Sequence, residues 1–66
     1  SLEKRRDMFY ERLEEVQKQM EALQKTMGHL KYKCWYYDTA LADETEERVK
    51  NMPIEDIPQE LRAYKL

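Results

Sequence analysis

Apolar and near-apolar side chains recur along the first two thirds of the chain at alternating steps of four and three. They are Phe9, Leu13, Val16, Met20, Leu23, Met27, Leu30, Cys34, Tyr37 and Leu41. This is the heptad signature of a coiled coil, sustained over more than four repeats. The longer step leads from d to a. Leu13, Met20, Met27, Cys34 and Leu41 are therefore a positions, and Phe9, Val16, Leu23, Leu30 and Tyr37 are d positions. A single helix cannot bury such a seam on itself, so the pattern predicts a partner helix, most simply a second copy of the chain.

The spacing predicts one helix over residues 2–42. Glu, Lys, Gln, Leu, Met and Ala dominate this stretch and proline is absent, which suits a helix interior. Gly28 is the only breaker; it falls on an outer position and costs about 1 kcal/mol relative to alanine, with a mild bend expected there. Residues 43–52 read as a junction with a short helix, capped by Asp43 or Thr45 and stopped by Pro53. Residues 54–66 carry a second apolar pattern of Ile54, Ile57, Leu61 and Tyr64. Pro58 suits the first turn of a last short helix. The fold class is thus all-α: a long antiparallel coiled-coil dimerisation helix, 1–42, followed by one or two short helices in a tail, 43–66.

Around the seam, Leu30-Lys31-Tyr32-Lys33-Cys34-Trp35-Tyr36-Tyr37 is apolar or aromatic on nearly every side. Tyr32, Trp35 and Tyr36 lie on the b, c and f faces, away from the seam. A helix apolar all round is covered on several sides. The tail residues Val49, Met52, Ile54, Ile57, Leu61 and Tyr64 are the local candidates for that cover.

Length and charge narrow the picture. A chain of 66 residues is marginal as a lone domain, and residues 43–66 are too few to cover a helix about 60 Å long. Oligomerisation is the expected remedy. The net charge of −2 gives no global call for nucleic acid or an anionic membrane. No apolar run approaches a membrane span, and no signal peptide opens the chain. The single cysteine allows no internal disulfide and fits a reducing, cytoplasmic setting. The abrupt start at Ser1 suggests a piece of a longer protein. Residues 1–15 are slightly acidic and residues 16–41 basic, which favours antiparallel helices, though weakly because exposed pairs contribute little.

The segment Leu30 to Leu41 resembles the C-terminal end of the dimerisation helix in MerR-family bacterial transcription regulators. A heptad helix there ends in a Lys-x-x-Tyr-Tyr-like aromatic segment, followed by an acidic turn and Thr-Glu, here Asp43, Glu44, Thr45 and Glu46. The resemblance covers about residues 3–48. It implies two antiparallel long helices forming a homodimer. It also implies an N-terminal winged helix-turn-helix domain that holds promoter DNA, and a C-terminal region that senses an effector. No DNA-reading motif can be placed in these residues, so promoter DNA would be reached only through a missing N-terminal domain. Many members carry glycine in the turn where this chain has Glu44, which argues for a blunter turn with the long helix running past residue 43.

The candidate site residues follow from these patterns. The ten seam residues carry dimerisation. Tyr32, Trp35, Tyr36 and Tyr64 are candidates for lining a pocket for a small apolar effector, against the plainer reading that they pack on the tail and the partner. Cys34 reads as a small hydrophobe in the seam, although Lys31 and Lys33 could sharpen its thiol. Metal is not expected: His29 stands alone and the methionines sit at core spacing, whereas a soft-metal site needs convergent thiolates or imidazoles. No cofactor is expected. Lys4-Arg5-Arg6 reads as a solvated helix start. Catalysis has no support, because the chain lacks a nucleophile–base pair and a glycine loop. The leading reading is the dimerisation and effector-response module of a MerR-like regulator. The alternative is a coiled-coil scaffold or adaptor unrelated to DNA. A helical enzyme dimer with its site between the long helices would need basic and polar residues converging on the seam, where Arg6 alone is found.

Overall fold

The computed structural model describes residues 1–65. A 42-residue helix, α1 (Leu2–Asp43), dominates the chain. It is followed by the short helix α2 (Glu47–Lys50) and two 3₁₀ helices, Ile54–Asp56 and Gln59–Tyr64. The molecule measures 64 × 20 × 14 Å. Its radius of gyration is 19.3 Å, where a compact chain of this length would have about 11 Å. Ser1 starts α1, its Oγ accepting a hydrogen bond from the Lys4 amide at 3.3 Å, which satisfies one of the unpaired first-turn donors.

The end of α1 corrects the expectation of a blunt turn. Glu44 takes the left-handed conformation, φ 58° and ψ 18°, and the helix stops at Asp43. The Thr45 amide donates to the Ala40 carbonyl at 3.2 Å, and the Glu44 amide to the Leu41 carbonyl at 3.3 Å. These are the two bonds of a Schellman cap, closed here on a residue that carries a Cβ. The Asp43 carboxylate then receives the Arg48 guanidinium at 2.7 and 3.1 Å, tying the helix end to α2. The N-cap position of α2 falls on Glu46, which makes no side-chain cap bond, and neither on Asp43 nor on Thr45 as expected. The Thr45 hydroxyl accepts from the Glu47 amide at 3.3 Å, one residue ahead of the cap. A non-glycine residue in this region costs about 1–2 kcal/mol, offset partly by the greater freedom of an unfolded glycine. Glu44→Gly is therefore expected to stabilise the chain by about 0.5–1 kcal/mol in chemical denaturation. A destabilised variant would mean that the left-handed turn does not form.

The tail departs from one further expectation. Pro58 stands just before the last helix, in extended backbone at φ −49° and ψ 133°, instead of inside its first turn. Proline pushes its predecessor toward extended backbone, and Ile57 is found at φ −80°, ψ 137°. With Pro53 also extended, the two prolines divide the segment into short pieces, and these take the tighter 3₁₀ form. Its backbone is held by long cations. Arg62 donates to the carbonyls of Ile57 and Glu55 at 2.9 and 3.0 Å, and Lys65 Nζ to that of Met52 at 3.2 Å.

The tail doubles back on the C-terminal half of α1, on the face opposite the seam. Tyr32 of α1 is buried with Met52, Ile57 and Leu61, and Trp35, Tyr36 and Tyr64 pack against them. Ile57 is only 1% exposed. Ala40 of α1 and Val49 of α2 are buried near the corner. Among the described residues, the buried positions of α1 are confined to this small core, the Tyr64 seat at Gly28 and the corner at Ala40.

Candidate functional site

Two surfaces stand out, and α1 carries both. The first is the seam. Among its ten residues only Val16 is half-buried; the rest are exposed. Phe9 is 77% exposed, Leu23 66% and Leu41 76%. Cys34 is exposed with them. Scattered exposed leucines are ordinary on a protein surface, whereas a contiguous apolar stripe marks an interaction site. The stripe exists because the a and d residues share one face and the tail occupies the other.

The second surface is the aromatic turn beneath the tail. Its rings form a connected run. Tyr32 lies 5.7 Å from Trp35 and 6.2 Å from Tyr36, and Tyr36 lies 5.0 Å from Tyr37, edge-on. The Tyr36 hydroxyl donates to Glu46 Oε1 at 2.9 Å. That bond, to a carboxylate that favours the neutral phenol, raises the Tyr36 pKa above its ordinary value. Tyr36 thus links α1 to the acidic turn.

Gly28 has a packing role that periodicity alone did not reveal. A Cβ there would collide with the ring of Tyr64. The missing side chain seats that ring against the helix, and His29 meets its edge at 5.2 Å. Gly28→Ala should gain about 1 kcal/mol of helix propensity while unseating Tyr64. In a Tyr64→Ala background the full gain is expected on denaturation. In the native background it should shrink or vanish, a coupling on the order of 1 kcal/mol. Equal gains in both backgrounds would show that Tyr64 does not sit on Gly28.

Beside this packed cluster lies an open pocket of about 350 Å³, lined by Tyr32, Lys33, Tyr36, Tyr37, Lys50 and Lys65. Two of the four predicted pocket residues, Tyr32 and Tyr36, line it. Trp35 and Tyr64 instead pack on the tail core. The three lysines were not foreseen. Lys33 lay in view within the aromatic segment, but Lys50 and Lys65 arrive only because the tail folds back. Among the described residues no three His, Cys, Asp or Glu side chains converge as metal ligands. No helix of the described residues is long and apolar enough to cross a membrane. No protein-family model, curated protein or solved structure matches the chain.

Proposed function

We propose that the chain is the dimerisation and effector-response module of a MerR-like transcription regulator, acting as a homodimer of antiparallel α1 helices. The observation that carries the reading is the bare seam, exposed along α1 while the tail covers the opposite face. The accessible surface is 5982 Å², where a folded monomer of 8.1 kDa would show about 4,500 Å². The excess exceeds the roughly 800 Å² that each partner buries in a standard interface.

The seam also fits an antiparallel register. Laid against a second copy running the other way, Phe9 meets Leu41, Leu13 meets Tyr37 and Val16 meets Cys34. Met20 meets Leu30, and Leu23 meets Met27. Every a residue finds a d residue and none is left over. The same register brings Lys4, Arg5 and Arg6 onto the acidic turn of the second copy, with its Glu44, Glu46 and Glu47. A parallel pair would stack those basic residues on one another. A hollow of about 360 Å³ lined by Tyr37, Ala40, Leu41, Glu44, Thr45 and Glu46 lies where Phe9 and Tyr10 of the second copy would arrive.

In this reading the antiparallel pair holds two DNA-binding domains at fixed spacing in the bacterial cytoplasm. Each tail and aromatic turn senses the effector. Promoter DNA is engaged through an N-terminal domain, and the resemblance of Leu30–Glu46 to the regulator family supports that assignment. The coding sequence immediately upstream of Ser1 tests it. A winged helix-turn-helix pattern is expected there; any other domain would overturn the regulator and leave a coiled-coil scaffold.

A further inference from the structure

The geometry points to a binding site for a small organic anion with a flat apolar body, in the pocket formed by Tyr32, Tyr36 and Tyr37 with Lys33, Lys50 and Lys65. It names the chemical class of the effector and rests on the sensing role proposed above for its consequence, though not for binding itself.

Three features of the pocket lead to this class. Its lining is half tyrosine and half lysine, and no carboxylate takes part. Tyrosine rings offer faces and edges to a flat apolar group, and apolar walls with a few placed polar groups describe a ligand site. The lysines supply three positive charges around one small volume. Among the described residues neither Lys33 nor Lys50 is engaged in an ion pair. Lys65 is pinned by its bond to the Met52 carbonyl at 3.2 Å. Like charges held together repel, and a bound anion relieves that repulsion while forming charge-assisted hydrogen bonds. A neutral apolar ligand would leave the charges uncompensated, and a cation would add to them.

The pocket is also assembled from three separate parts of the chain. Tyr32, Lys33, Tyr36 and Tyr37 come from α1, Lys50 from the end of α2 and Lys65 from beyond the last 3₁₀ helix. An anion there would tie the tail to α1. Tyr37 belongs to the seam as well, so ligand and dimer contact share a side chain. In the antiparallel register, Met8, Phe9 and Arg12 of the second copy come onto the same flank of the helix pair. They would wall the open side of the pocket and add a further cation.

The test compares 2-naphthoate with 2-naphthamide, which has the same rings and no charge, by following backbone amide shifts of the full chain. Naphthoate is expected to shift residues 32–37, 50 and 65 saturably, with naphthamide at least tenfold weaker. In Lys33→Gln/Lys50→Gln, which changes two exposed side chains and should leave the helical spectrum unaltered, the naphthoate advantage should fall several-fold. Equal binding of acid and amide would overturn the proposal. So would shifts confined to the seam over residues 9–30, or no saturable binding at millimolar ligand. Sedimentation of the same samples reports the dimer separately, so loss of the anion site and loss of the module's dimeric state are distinguishable.

Discussion

Leu23→Asp is expected to abolish both dimerisation and most of the helical signal. Leu23 is a d residue near the middle of the seam, 66% exposed in the single chain and facing Met27 of a second copy in the antiparallel register. Pairing would bury one unpaired carboxylate from each copy. Desolvating a charge without a partner costs several kcal/mol even after relaxation, comparable with the whole stability of a small protein. α1 cannot compensate alone, because an isolated helix draws most of its stability from packing an apolar face. Sedimentation equilibrium and far-ultraviolet circular dichroism would show a largely unfolded monomer at micromolar concentration. A Leu23→Asp chain that stays helical and dimeric would remove the seam from the account. Glu21→Asp, on the outer surface, is the control and should change little.

The second large effect concerns the tail. Deleting residues 53–66 removes Ile57, Leu61 and Tyr64 from the face of Tyr32 and Trp35. Full burial of one such side chain contributes about 1.5–3 kcal/mol, so the melting temperature should fall by several degrees. Trp35, the only tryptophan, should shift its emission to the red as water reaches it. The dimer should survive, because the seam lies on the other face. Ile57→Asp gives the same comparison in a full-length chain, since Ile57 is 1% exposed and a carboxylate cannot stay there. Unchanged Trp35 emission in both variants would mean that the tail does not rest on the aromatic turn in solution.

These two surfaces differ in how far they could be read from the chain. The extent of α1 was legible because its apolar residues keep one period across a stretch without proline. The need to cover Tyr32, Trp35 and Tyr36 was legible because they point away from the seam. The form of the cover was not. Pro53 and Pro58 break the tail into 3₁₀ pieces, and a spacing of apolar residues does not distinguish those from one short α-helix. Glu44 was misleading for a physical reason: glycine is favoured at a left-handed cap, but the cap is made by backbone bonds to Ala40 and Leu41, which any residue at that position can form. Its neighbours Asp43 and Glu46 are tied to Arg48 and Tyr36. Gly28 looked like a simple weakness until the Tyr64 ring was found seated on it. Lys50 and Lys65 carry no local signal at all, since their approach to Lys33 depends on the whole path of the tail.

The orientation of the two α1 helices is the central claim, and one distance tests it. Nitroxide labels at Glu11→Cys in a Cys34→Ser background lie on the outer face, clear of the seam. With antiparallel helices in the proposed register, double electron–electron resonance should find the two labels about 40 Å apart, from a rise near 1.5 Å per residue. With parallel helices the same outward-facing labels would sit at equal height, about 20–25 Å apart, the span across two side-by-side helices, and that distance would contradict the account.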